Sequence, residues 1–128
     1  MDCLNSNVDL MLHKSMDYLW CKQTCILDNI SNAETPGYKT KYVTFEESLQ
    51  QAIQAAASGA ENPGPAIREA IDETSATIHQ ADESTRMDDN GVNITEQMVE
   101  LSRNGYQMQY VMDAISSDFS LLRTAITG

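Results

Sequence analysis

Residues 94–127, ITEQMVELSRNGYQMQYVMDAISSDFSLLRTAIT, decide the reading of this chain. Ile94, Met98, Leu101, Gly105, Met108, Met112, Ile115, Phe119, Leu122 and Ile126 follow alternating steps of four and three, and nine of these ten positions are apolar. A stripe kept over so many turns predicts one long helix with a seam for a partner helix. Asn93 precedes it as an N-cap, and Glu96 three residues on makes a capping-box variant. The predicted helix runs from about Ile94 to Thr127. Gly105 sits on the seam, where it marks either a close helix approach or simple tolerance.

Working outward, a second seam lies near the other end of the chain. Leu12, Met16, Leu19, Gln23, Ile26, Ile30 and Ala33 keep the same steps, with one polar break at Gln23. Asn5, Ser6 and Asn7 are candidate caps, and a first helix is predicted from Val8 to Ser31. Thr35-Pro36-Gly37-Tyr38 then ends it. Pro36 fixes φ and Gly37 supplies the positive φ of a type II turn. Residues 38–45 alternate aromatic or β-branched side chains with Lys and Thr, which predicts a short extended segment. Residues 46–57 predict a short helix, with Leu49, Ile53 and Ala56 on one face. Residues 58–65 contain Gly59, Pro63, Gly64 and Pro65 and are read as a breaker. From 66 to 90 the expectation is a polar loop with a short strand at 76–79. The long final helix would outrun the first, so its seam must meet the first helix, a neighbouring copy, or both.

The fold class expected is mainly α: long N- and C-terminal helices pairing as a coiled coil, with a short extended segment and an irregular acidic middle. Three regions follow: 1–45, the N-terminal helix and turn; 46–85, a short helix and variable polar loop; and 86–128, the C-terminal coiled-coil helix.

The charge supports an assembly protein over an enzyme. Of a net −11, residues 44–100 carry −10, residues 1–43 carry −1 and residues 101–128 are neutral. Neutral ends can pack against copies of themselves, while the acidic middle faces water. No basic stripe exists to follow a phosphate backbone or an anionic membrane surface. No apolar run is long enough for a membrane span, and the first residues lack the pattern of a cleaved secretory signal. Seven methionines, several of them in the seams, suit either helix packing or an adaptable subunit interface.

Chemistry-bearing patterns are weak. Neither a phosphate loop nor G-x-G-x-x-G occurs. His13 and His79 have no convincing nucleophile or carboxylate set. His13, Asp17, Cys21 and Cys25 form one row along a helix and cannot surround an ion without a second element. Cys21 and Cys25, one turn apart, are poorly placed for a disulfide and are expected as buried or half-buried thiols. Aligning Gly91 with the sixth position of a calcium loop puts Arg86 where a carboxylate is needed. Asn93-Ile94-Thr95 matches a glycosylation sequon but is better explained as a helix start. No catalytic, cofactor or metal residues are expected.

The exit of the first helix, Asn29-Ile30-Ser31-Asn32-Ala33-Glu34-Thr35-Pro36-Gly37-Tyr38-Lys39, resembles the signature turn of bacterial flagellar rod and hook proteins, with Ser31 where Ala is usual. Arg86-Met87-Asp88-Asp89-Asn90-Gly91-Val92-Asn93 resembles that family's lead-in to its C-terminal helix, with the order Asn90-Gly91 as a small variation. Glu96-Gln97-Met98 and Tyr106 through Tyr110 also fit. The likeness covers roughly residues 8–45 and 86–127. The short length and the ending Phe119–Ile126 are similar to the proximal rod subunits, since distal rod and hook proteins carry a large inserted domain.

The resemblance implies a structural subunit of the proximal rod of the flagellar basal body, serving motility. It implies type III export without a cleaved signal peptide, helical assembly in the periplasm, and a link between membrane ring, export gate and distal drive shaft. Implied partners are other copies, other rod subunits, a FliE-type adaptor and the export gate, with no nucleic acid or small-molecule substrate. The expected assembly interface is Leu12, Met16, Leu19, Ile26, Ile30, Ile94, Met98, Leu101, Met108, Met112, Ile115, Phe119, Leu122 and Ile126. The expected family turn is Asn29, Asn32, Thr35, Pro36, Gly37 and Tyr38. The same seams would also serve a cytosolic coiled-coil adaptor or regulator, which explains the Pro36-Gly37 turn less well.

Overall fold

The computed structural model describes residues 7–59, 63–81 and 91–128. In order they form α1 (Asn7–Ser31), β1 (Lys41–Thr44), α2 (Glu46–Gly59), α3 (Pro63–Glu73), β2 (Thr77–Gln80) and α4 (Ile94–Thr127). The N-terminal motif residues of the last helix, 86–90, and the candidate caps Asn5 and Ser6 lie outside the described residues.

α4 has the predicted bounds, α1 begins one residue before its predicted start and ends where expected, and the two pack together. Asn93 caps α4, its side-chain oxygen accepting from the Glu96 backbone N–H. This satisfies one of the donors a helix start leaves open. Three contacts fix the relative direction of α1 and α4. Gln97 meets Asn29, Glu100 meets Lys22, and Asn104 meets Leu19. Numbers rise on one helix as they fall on the other, so the pair is antiparallel. Carried along at equal rise, this register sets Asn7 opposite roughly residue 116. The last turns of α4 therefore run past the described start of α1.

The middle of the chain folds against α1. Phe45, Leu49 and Ile71 are buried together, with Leu10, Tyr18, Ile53 and Ile67 around them. Tyr18 of α1 stacks on Phe45 at 5.1 Å between ring centroids. Burying Ile71 alone is worth about 1.5–3 kcal/mol. Lys14 ties the two parts: its ammonium donates to the carbonyls of Asp72 at 2.6 Å and Thr74 at 3.3 Å. A cation there satisfies orphan carbonyls at the end of α3 and favours its negative pole.

The loop expected over 66–90 is corrected by α3, which occupies Pro63–Glu73. Pro63 and Pro65 stand in its first turn, where a missing N–H costs nothing. Ile67 and Ile71, four apart, give it an apolar face against α2. The short strand expected at 76–79 is present as β2, one residue later. It pairs antiparallel with β1, Tyr42 opposite His79 and Val43 opposite Ile78. The Tyr42 and His79 rings stack, and Thr44 Oγ lies 2.8 Å from His79 Nε2.

Candidate functional site

The helix exit is built around Asn29. Its side chain, 1% exposed, bonds in four directions. Nδ2 donates to the Lys41 carbonyl at 2.8 Å and to Gln97 Oε1 at 3.0 Å. Oδ1 accepts from the Lys41 N–H at 2.8 Å and from the Tyr38 hydroxyl at 3.2 Å. One amide thus joins the end of α1, the turn, β1 and the start of α4. Burial pushes the Tyr38 hydroxyl above its ordinary value, against the opposing pull of Lys41, so it keeps the proton it donates.

The other motif residues form the turn itself. Asn32 donates back to the Asp28 carbonyl at 2.9 Å, and Thr35 Oγ donates to Asn32 Oδ1 at 3.2 Å. The Tyr38 N–H closes on the Thr35 carbonyl at 3.2 Å, around Pro36 and Gly37. Gly37 has φ +73°, as the type II turn demands. Thr40 Oγ donates to the Gly91 carbonyl at 2.6 Å, fixing the approach to α4, and Val92 behind it is fully buried.

The α1 seam is covered much as its spacing predicts. Leu19 and Ile26 are buried, and Leu12, Met16 and Ile30 are half-buried. The α4 seam divides. Leu101, Met108, Ile115 and Leu122 lie on the buried or half-buried side. Ile94, Met98, Met112, Phe119 and Ile126 face outward, Met112 at 52% exposure and Phe119 at 55%. Gly105 is also exposed, and among the described residues no atom lies near an added Cβ, so none of the described helices approaches closely there. The positions that replace the outward half are Gln97, Asn104 and Val111. Gln97 and Asn104 are buried polar residues, and the apolar count passed over both. Asn104 is 0% exposed. Its Nδ2 donates to the Leu19 carbonyl at 3.0 Å, and its Oδ1 meets no donor among the described residues. A seven-residue spacing between Gln97 and Asn104 was the available signal.

The outward apolar row on α4 is a candidate surface for recognition. Beside it, α1, α2 and α4 enclose a groove of about 720 Å³ walled by Met11, Tyr18, Leu49, Ile53, Tyr110 and Val111. Among the described residues its lining is apolar, aromatic, amide or hydroxyl, with no carboxylate, imidazole, thiol or cation. That composition suits packing. Cys21 is half-buried and Cys25 buried. Burial, then the neighbouring Cys21, pushes the Cys25 thiol up, so it is a poor nucleophile at neutral pH. His13 lies 3.6 Å from Asp9 on the same helix.

No family model matches the chain. The chain is 28% identical over 107 residues to the flagellar basal body rod protein FlgB of Bacillus subtilis, covering 84% of this chain and 83% of that protein. It is 43% identical over 53 residues to the protein of the same description from Borrelia hermsii, covering 41% of this chain and 38% of that one. A 41-residue stretch is 39% identical to the corresponding Borreliella burgdorferi protein, covering 32% and 30% respectively.

Proposed function

We propose that the chain, like the flagellar basal body rod proteins it is similar to, is a structural subunit of the proximal rod of the basal body. In this role it assembles helically through its terminal helices and links the membrane ring and export gate to the distal drive shaft. Its partners are other copies of itself, other rod subunits, a FliE-type adaptor and the type III export gate. It resides in the periplasmic part of the basal body and carries out no catalysis.

The observation that carries this reading is the outward row Met98, Met112, Phe119 and Ile126 on a helix already paired along its other side. A long row of large apolar side chains at heptad spacing is a surface for another helix. The neutral charge of residues 101–128 lets like copies approach without repulsion. The interface thus comprises the covered seam of α1 and α4, which shapes the subunit, and the outward row, which meets neighbours.

The test is complementation of a deletion strain. The natural chain restores swimming. A Phe119→Asp chain, expressed at the natural level, does not, because assembly would bury an unpaired carboxylate. Full motility with Phe119→Asp, or a deletion strain that swims normally, overturns the proposal.

A further inference from the structure

The best apolar seam that α4 can offer is not the one turned toward α1. A turn of about 50°, half the step between successive helix residues, would exchange Gln97, Asn104 and Val111 for Met98, Gly105 and Met112. Leu101, Met108 and Ile115 belong to both seams and would stay near the interface. Such a turn would remove two buried amides and cover exposed methionine, which burial of apolar surface favours. Polar contacts hold α4 in the other setting. Gln97 is fixed by Asn29, Asn104 by the Leu19 carbonyl, and Glu100 by Lys22 at 3.3 Å.

We propose that Gln97 and Asn104 set the rotation of α4 on α1, and so keep Met98, Met112 and Phe119 outward for a second copy of this chain. The Asn104 oxygen, which meets no donor among the described residues, marks this arrangement as one that carries a stability cost. Buried amides are known to choose among near-equal helix pairings in this way. Here the choice is between covering the row within one chain and leaving it for a neighbour. The second copy is favoured as occupant because the outward row is continuous with the α1–α4 seam. The two share Leu101, Met108, Ile115 and Leu122 as a common edge. The identity of the neighbour rests on the rod reading above; the rotation does not.

Methionine oxidation by dilute peroxide, read residue by residue by mass spectrometry, tests both parts with native side chains. In the dilute natural chain, Met98 and Met112 should oxidise about tenfold faster than Met108, following exposure. In the Gln97→Ala/Asn104→Ala chain, which lacks both amides and gains no apolar bulk on the face turned toward α1, Met112 should slow toward the Met108 rate. Should that variant misfold, Asn104→Ser serves instead, and the pattern in the natural chain stands as a test by itself. A protected Met112 in the dilute natural chain overturns the rotation, as does an unchanged Met112 rate in a folded Ala variant. Raising the concentration of the natural chain should then slow Met98 and Met112 selectively. If the rotation holds and no concentration slows them, the second copy is the wrong occupant.

Discussion

Asn29 holds four hydrogen bonds through one side chain. Replacing it by Ala leaves the Lys41 N–H and carbonyl, the Tyr38 hydroxyl and Gln97 without their partner. Stranded buried polar groups cost about 1–3 kcal/mol each, partly relieved by water. Asn29→Ala should therefore lower unfolding free energy by about 3 kcal/mol in a urea titration; a loss within error would show that the network is not a structural hub. Gly37→Ala tests the turn in the same way. At φ +73° an added Cβ should cost about 1–2 kcal/mol. Alkaline pH tests the two raised groups. Cys25 and Tyr38 hold their protons more tightly folded than unfolded, so their contribution is whole below the ordinary values of 9.0 and 10.0. It declines as pH climbs through their folded values. The urea midpoint should thus fall between pH 8 and pH 11, and fall less in a Tyr38→Phe/Cys25→Ala chain.

At the scale of elements, local signals were the legible ones. The bounds of α4 follow from its Asn93 cap and heptad spacing, and the end of α1 from the Pro36-Gly37 turn, all written within a few residues. The helix α3 was hidden because Pro63, Gly64 and Pro65 read as a breaker, whereas proline in a first turn starts a helix as readily as it stops one. The partners of Asn29 were illegible for another reason. Gln97 lies 68 residues away, and no spacing rule joins them. The rotation of α4 was missed because the heptad reading weighed only apolarity, while amide contacts decided which side faces α1. Lys14→Met offers a measure of how far α3 depends on α1. Losing the ammonium at the α3 carboxyl end should cost about 1 kcal/mol, and hydrogen exchange should quicken in 63–73 before it does in α4. Equal quickening everywhere would mean that α3 has no separate dependence on this contact.

Over the whole molecule, covered and outward apolar positions divide the work. Met108→Asp places a carboxylate inside the α1–α4 seam and should unfold the subunit. Leu101→Asp and Ile115→Asp, half-buried on the same side, should weaken fold and assembly together. Met112→Asp should leave urea unfolding of the isolated chain within about 0.5 kcal/mol while abolishing incorporation into basal bodies. Residues 101–128 are neutral in sum, so like helices brought together along that segment would meet little net repulsion. Whether this chain is a built-in part of the rod is tested most directly by purifying flagellar basal bodies from the source cell, washing them until loosely bound proteins are gone, and quantifying this chain by peptide mass spectrometry. Retention in fixed proportion to other rod subunits is the predicted result. Loss in the wash, with the chain recovered from the cytosol, would contradict the rod reading and favour a cytosolic coiled-coil adaptor.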